Sequence, residues 1–361
     1  MYIYYILLFI ISFLGFIFFK DGTTPKRNKY FLICSFFLLF LVQSLRKYTV
    51  GVDVPTYVEG FYQIRNMPWN DCRLHDWEPL YAYLNKLIGC FTDRYSVLLS
   101  AASFIILVGC GYFIYKNSTN VFWPVFLFIV LDNFFISMYS LRQFCAIAIG
   151  INIYTVLKEN TSVKNYIKAG ILFLLAIMFH VTAFVCILFF AVFWAGKMSR
   201  FKLILWLLIG VFGILYFSKI VDFFLFLFPR YDLYRSRNTA NFQGTSVRNI
   251  DLVYDLIKIM CIFIMWKFNH ANKGHQHILK LLSLSCVAII LSFLVTKIKL
   301  VWRFTFYFDI LLIVVIPLVI EKFKYHRYVA YAAVYLSGFI YLSYIMLLNG
   351  GKCVPYLTFW Q

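Results

Sequence analysis

Long apolar runs recur along the whole 361-residue chain, and they constrain its fold more than any other feature of the sequence. Most approach the ~20 residues that a helix needs to cross a bilayer. Hydrophobic residues make up 63% of the chain and charged residues only 14%, which excludes a soluble globular domain of this length. We therefore predict an all-α, polytopic integral membrane protein, with residues 1–361 forming one membrane domain of about twelve transmembrane helices (range about 10–14).

The formal net charge of +19 would suggest nucleic-acid binding in a soluble protein. In this apolar chain it is better explained by membrane topology and by anionic lipid or substrate, so we expect no nucleic-acid partner. Nine cysteines occur without a CxxC pattern or metal-ligand spacing, and no metal or other cofactor is predicted. Phe and Tyr are abundant together with Ile, Lys and Asn, as expected of an AT-rich genome, so the aromatic content alone predicts no function.

Basic residues predict how the chain crosses the membrane. Residues 2–19 lack the basic start and the cleavage site of a signal peptide, so they are predicted to form a first transmembrane helix. Short lysine-rich loops are expected on the cytoplasmic side. Residues 46–94 and 229–251 then form two large periplasmic loops, and the first contains Pro79–Phe91, a short segment expected to lie at the membrane interface.

The apolar run from Ile167 to Trp194 is interrupted near its middle by His180 and Thr182. It can form one long tilted helix, or two short crossings that meet at His180. The second interpretation places the following basic residues on the same side as the earlier lysine loops, and we prefer it for that reason.

Arg142 and Gln143 interrupt continuous hydrophobic sequence in Ser137 to Ile151, SMYSLRQFCAIAIGI. A charged side chain near membrane depth costs a few kcal/mol and usually faces a polar cavity. We expect this cavity to face the periplasm and to bind a lipid-linked anionic substrate. The predicted topology places further polar residues at the same boundary: Arg46, Asp53, Glu78, His180, Arg235, Arg237, Arg248 and Arg303.

Arginines at this boundary suit a diphosphate, and an acid or histidine could deprotonate a hydroxyl. The candidate bases are Asp53, Glu78 and His180. Structural roles stay open for several of these residues. Arg142 could snorkel to the interface, and Arg303 could anchor a helix end. His180 could break a helix, Glu78 could cap the helix that starts at Pro79, and Asp53 could shape the turn GVDVP. Three aspartates lie within apolar runs and are expected to pair with a cation or a backbone group: Asp132, Asp255 and Asp309.

Several short motifs resemble those of the EpsG/Wzy-type polysaccharide polymerases, integral membrane proteins that polymerise lipid-linked oligosaccharides. The resemblance runs in order along the chain. Val52 departs from it, because the family pattern often has a threonine there. The motifs are Arg46 with Gly51-Val52-Asp53 and Tyr57, Glu78-Pro79, Arg142-Gln143 with Ala146, His180, and Arg303 with Tyr307.

The resemblance implies glycosyl transfer at the periplasmic face of the bacterial inner membrane, between an undecaprenyl-diphosphate-linked oligosaccharide donor and an acceptor of the same kind. Arg142 and Arg303 would clamp the diphosphate, and Gln143 would orient it or a sugar. Asp53, Glu78 or His180 would activate the acceptor hydroxyl. Arg46, Tyr57, Arg235 and Arg237 complete the predicted substrate-binding residues, and a polysaccharide chain-length regulator is an implied partner.

Other functions remain open at this point. A ligase that moves finished glycan from undecaprenyl diphosphate to another acceptor needs the same cavity. A flippase for the same lipid would favour internal repeats, and none is detected. A membrane acyltransferase is expected to carry a histidine in an early helix, and the first two predicted helices contain none.

Overall fold

The computed structural model describes residues 1–72, 76–197, 215–227, 249–267, 273–295, 299–323 and 325–361, together with positions 201, 202, 205, 208 and 212. Across these residues the regular secondary structure is helical, apart from an isolated bridge between Arg46 and Thr358. The predicted all-α class is confirmed. The loop 229–251 lies outside the described residues, except for the helical residues at its end.

Four described helices are long and apolar enough to cross a membrane: Tyr2–Phe19, Tyr95–Asn117, Gln276–Leu294 and Arg327–Leu348. Two bent helix pairs raise this number to six if each is one span. They are Phe122–Val130 with Asn133–Tyr139, bent by 58°, and Lys299–Asp309 with Leu312–Ile320, bent by 45°. The chain is therefore a membrane protein, while twelve crossings and their orientation remain predictions.

The chain divides into two compact units. Unit 1 comprises Met1–Cys186 and Ile320–Gln361, and unit 2 comprises Ile187–Val319. The described helices of unit 1 are α1 (Tyr2–Phe19), α2 (Pro25–Ser44), α3 (Val54–Asn66), α4 (Pro79–Phe91), α5 (Tyr95–Asn117), α6 (Phe122–Val130), α7 (Asn133–Tyr139), α8 (Leu141–Glu159), α9 (Val163–Phe179), a 3₁₀ helix (Val181–Cys186) and α16 (Arg327–Leu348). Those of unit 2 are α10 (Ile187–Trp194), α11 (Phe217–Leu227), α12 (Asn249–Lys267), α13 (Lys273–Leu294), a 3₁₀ turn (Lys299–Val301), α14 (Trp302–Asp309) and α15 (Leu312–Ile320).

Helix α8 is buried around most of its circumference, as a helix at the centre of a bundle should be. Glycines allow its neighbours to approach closely. A Cβ added to Gly109 of α5 would lie 2.6 Å from the carbonyl oxygen of Ala148, and one added to Gly150 of α8 would lie 2.6 Å from the Sγ atom of Cys186. This packing fixes the position of Arg142, in the first turn of α8.

The first large polar stretch contains two helices, whereas only α4 was predicted there. Helix α4 has the predicted bounds. The unpredicted helix α3 has Pro55 in its first turn, where a missing backbone N–H costs nothing, and it buries Tyr57, Phe61 and Ile64 along one face.

The predicted break at His180 is confirmed. Helix α9 ends at Phe179, and His180 has an extended backbone with φ −159°. The Nδ1 atom of His180 then accepts a 3.2 Å hydrogen bond from the backbone N–H of Thr182, in the first turn of the 3₁₀ helix. The side on which each segment meets the membrane remains a prediction.

Candidate active site

Arg142 and Glu78 form an ion pair in unit 1. The Nη1 atom of Arg142 donates to the Oε2 atom of Glu78 at 2.8 Å, with the side chains 19% and 4% exposed. The other carboxylate oxygen of Glu78 accepts from the backbone N–H of Val181 at 3.2 Å. Glu78 occupies the N-cap position of α4 but makes no side-chain capping bond, so the capping alternative is wrong. Because Arg142 points to a buried carboxylate, simple snorkelling is also excluded.

Three aromatic rings, which we call the aromatic triad, lie against this ion pair: Tyr57, Trp77 and Tyr81. The guanidinium carbon of Arg142 lies 5.3 Å from the ring centroid of Trp77 and 5.8 Å from that of Tyr57, within cation–π range. The three rings meet edge to face, with centroids 5.3 to 5.9 Å apart. The Trp77 ring lies directly on Gly60, where an added Cβ would be 2.1 Å from its Cη2 atom. Glycine on α3 therefore makes room for the ring that supports Arg142.

The charges around Glu78 keep it ionised. Burial raises the pKa of Glu78, but the charges of His180 and Arg142 and the hydrogen bond from Val181 together lower it below its ordinary value. At neutral pH the pair is therefore carboxylate and guanidinium, and Arg142 is held in one orientation by its partner.

His180 is buried beside this pair, with its Nδ1 atom also 2.7 Å from the Oγ1 atom of Thr182. When the ring is neutral, donation from the Thr182 N–H to Nδ1 leaves the ring proton on Nε2, and it is the protonated ring whose charge lowers the pKa of Glu78. His180 thus both ends a helix, as one sequence interpretation held, and lies within electrostatic reach of Glu78.

Arg46 is fully buried, and its guanidinium binds backbone. Its Nη2 atom donates to the carbonyl oxygen of Met138 at 2.7 Å, and Nη1 donates to the carbonyl oxygen of Gln43. Burial lowers the pKa of Arg46 to about 10, so it remains charged at neutral pH. The structure places Arg46 where it joins the end of α2 to α7; its predicted role in substrate binding is untested.

Asp53 occupies the N-cap position of α3, half-buried and without a side-chain capping bond. It follows Gly51, whose φ of +115° suits glycine. Backbone N–H groups of Gly51 and Val52 donate to the carbonyl oxygens of Lys352 and Gly351, at 3.0 and 2.9 Å. The C-terminal tail therefore fixes the turn that carries Asp53.

The remaining predicted site residues are placed as follows. Gln143 is buried in α8, next to Arg142. Arg303 is half-buried in the first turn of α14 in unit 2, and Tyr307 is buried one turn later. Arg235, Arg237 and Arg248 lie outside the described residues. The structure therefore brings together Tyr57, Glu78, Arg142 and His180, while one cavity shared by all the predicted residues remains a prediction.

Sequence reasoning missed Trp77 and Tyr81, although both flank the Glu78-Pro79 motif. It also missed a second buried cluster, in unit 2, where Lys258 is bonded to Asp255 at 2.8 Å and to Asp309 at 2.7 Å. The expectation that these two aspartates pair with a cation is confirmed. Within the described part of the chain, no three His, Cys, Asp or Glu side chains converge as metal ligands do.

Comparison with known families matches the chain to the model described as the EpsG family, over residues 29–358. The match covers nearly the whole chain and includes every predicted site residue. It is a polysaccharide polymerase-type family. No curated protein and no solved structure matches the chain.

Proposed function

This chain belongs to the EpsG family, and we propose that it polymerises undecaprenyl-diphosphate-linked oligosaccharide repeat units at the periplasmic face of the bacterial inner membrane. The observation that carries the proposal is Arg142, a charge at the end of a buried helix that is oriented by a carboxylate and two aromatic rings. A membrane protein of polysaccharide biosynthesis needs to hold an anionic lipid carrier, and this site has the chemistry for it.

Arg142 is proposed to bind the diphosphate of the donor. A guanidinium presents five N–H donors in a planar fork that matches phosphate oxygens. In the described residues Nη1 donates to the carboxylate of Glu78, a side-chain hydrogen bond also joins Arg142 to Tyr57, and Nε is buried without a hydrogen-bond partner. With Glu78 orienting one edge and the aromatic triad supporting the plane, the N–H groups that neither Glu78 nor Tyr57 engages are proposed to receive phosphate. The role of Arg303, in unit 2, as a second cation on the diphosphate stays a prediction from the family resemblance.

In the proposed reaction, the hydroxyl oxygen of the incoming repeat unit attacks the anomeric carbon of the donor. The bond from that carbon to the diphosphate oxygen breaks, and undecaprenyl diphosphate leaves with the electron pair. The hydroxyl proton passes to a base on the protein. One glycosidic bond forms, and the polymer grows by one unit. Positive charge at the diphosphate stabilises the negative charge that develops on the leaving group.

Asp53 is our choice for the base. Both oxygens of Glu78 accept hydrogen bonds and its pKa is lowered, which makes it a weak base and suits it to positioning Arg142. The Nδ1 atom of His180 already accepts from Thr182. Asp53 is half-buried and lies one helical turn before Tyr57, whose ring contacts Arg142.

The test is a gel of surface polysaccharide from a strain that lacks this gene, complemented at matched protein level. Wild type should restore the ladder, whereas Arg142→Ala should leave a single repeat unit. Lys116→Ala is the matched control because Lys116 also forms an ion pair in unit 1, but on the surface with Glu159, and it should restore the full ladder.

Each alternative outcome of the gel is informative. A ladder that survives deletion of the gene would refute polymerisation. Loss of even the single repeat unit would favour a ligase or a flippase. Asp53→Asn should also leave a single unit if Asp53 is the base, and a full ladder from that variant would return the role to His180 or Glu78.

A further inference from the structure

A second aromatic surface lies on the same pair of helices as the candidate site. Trp69, in the loop after α3, stacks on Tyr83 of α4 with centroids 6.3 Å apart and planes inclined by 18°. Trp69 is nevertheless 47% exposed. Tyrosine and tryptophan combine an apolar ring with a polar group, and both are enriched at binding interfaces.

The orientation of Trp69 is fixed from one side. Lys86, one turn after Tyr83 on α4, lies with its Nζ atom 5.9 Å from the Trp69 ring centroid and donates to the carbonyl oxygen of Arg65 at 2.8 Å. The stacking contact and the cation contact of the ring both come from α4, while Trp69 stays 47% exposed. The side chain is therefore presented to solvent in a defined position.

The surroundings of this ring are polar. Asn66, Asn70 and Asp71 are all exposed on the same short stretch of chain. They supply donors and acceptors of hydrogen bonds around an apolar ring face. A pyranose is a complementary shape, because its C–H groups form apolar faces and its hydroxyls form a polar rim. A bilayer surface would instead favour apolar neighbours beside the tryptophan.

We propose that Trp69 and Tyr83 form a glycan-binding platform that holds sugar residues of the polysaccharide beside the reaction site. This inference rests on the proposed function, which supplies the glycan. Tyr83 and Lys86 follow Glu78 by five and eight residues, or roughly 7 and 12 Å along α4. Because each residue turns the helix by about 100°, Tyr83 lies on a different face of α4 from Tyr81, so a glycan that joins Arg142 to the platform must pass around this helix.

Fluorescence of the purified full-length protein in nanodiscs tests the assignment directly. The component due to Trp69 is the difference between wild type and Trp69→Phe, and the probes are the soluble repeat-unit oligosaccharide and lipids brominated in their acyl chains. The oligosaccharide should change this component, with an affinity that falls about fivefold in Tyr83→Ala, the size expected for losing an aromatic contact. Quenching by brominated lipid without a response to oligosaccharide would make Trp69 a membrane anchor and overturn the proposal.

Chain length in cells provides the second readout. Trp69→Ala should shift the ladder to shorter chains while polymerisation continues. Trp194→Ala is the control, because Trp194 is 87% exposed in unit 2 and has no place in the platform. An unchanged ladder from Trp69→Ala beside a single unit from Arg142→Ala would refute the platform alone. A full ladder from Arg142→Ala would instead count against the proposed function.

Discussion

Two buried ion clusters in the described residues differ in how completely their charges are compensated. In unit 1, Arg142 is 19% exposed and pairs with the single carboxylate of Glu78. In unit 2, Lys258 is 1% exposed and pairs with both Asp255 and Asp309, while Ser292 donates to Asp255 at 2.5 Å. Both clusters place a basic residue among apolar helices, but only the first leaves part of that residue accessible.

This difference separates a charge that can receive a ligand from one that holds helices together. Lys258 of α12 joins two helices, since Asp309 belongs to α14 and Ser292 of α13 binds the same network through Asp255. Its surroundings contain more acid than base, so an additional anion would be repelled. Among the described residues, Arg142 pairs with the one carboxylate of Glu78, and its aromatic walls are compatible with a bound sugar phosphate.

The largest effect that we predict is on the cluster around Lys258 in unit 2. Lys258→Met leaves two buried carboxylates without their cation and should lower the free energy of unfolding by about 3–5 kcal/mol. Thermal denaturation in detergent measures this loss, and Lys258→Arg is the control that keeps the charge. If Lys258→Met were as stable as wild type but inactive, the assignment of a structural role to unit 2's cluster would be wrong.

A smaller effect is expected from Gly60→Ala, which alters the surroundings of Arg142 in unit 1 without removing a charge. The new Cβ would meet the Trp77 ring, so the ring that supports Arg142 must shift away from residue 60, at a cost of about 1–3 kcal/mol. The polymerisation activity should fall by a larger fraction than the free energy of unfolding does. Gly170→Ala, where no atom lies within 4 Å of the added Cβ, should leave both unchanged. Full activity in Gly60→Ala would show that Arg142 does not need this aromatic support.

The smallest predicted effect concerns pH. Because the pKa of Glu78 is lowered below its ordinary 4.5, its ion pair stabilises the fold above about pH 4.5, and that contribution is lost as pH falls through the folded-state pKa. The melting temperature of wild type should drop over this acid range, with a shallower slope in Glu78→Gln. Glu159→Gln, which removes an exposed carboxylate, should keep the wild-type slope. If the melting temperature changed with pH by the same slope in wild type, Glu78→Gln and Glu159→Gln, Glu78 would not be ionised in the folded protein.

Local sequence pattern predicted much of the helical fold. The bounds of α1 and α4 agree with the prediction, and the break at His180 follows from polar residues inside an apolar run. Helix α3 was overlooked because polar residues and a glycine interrupt its short apolar pattern, although its apolar residues recur at helical spacing. The bend after α6 was also missed, since only Asp132, with φ +62°, marks it.

The site was harder to predict than the helices. Family resemblance pointed to both Arg142 and Glu78, but they are 64 positions apart, and no local pattern says that they pair. The partners that decide their chemistry are a backbone N–H of Val181 and the ring of Trp77, neither of which is a recognisable site residue in a sequence. Lys258 was likewise overlooked, although it lies three residues after Asp255 on the same helix face.

The most direct test of the central claim, that Arg142 binds the anionic carrier, is an equilibrium titration of the purified protein with undecaprenyl diphosphate. Arg142→Ala should weaken binding by at least about tenfold, as expected for losing a charge-assisted contact, while Lys116→Ala should bind like wild type. Arg142→Lys should fall between them because it keeps the charge but loses the planar fork. Wild-type affinity in a folded Arg142→Ala protein would contradict the account.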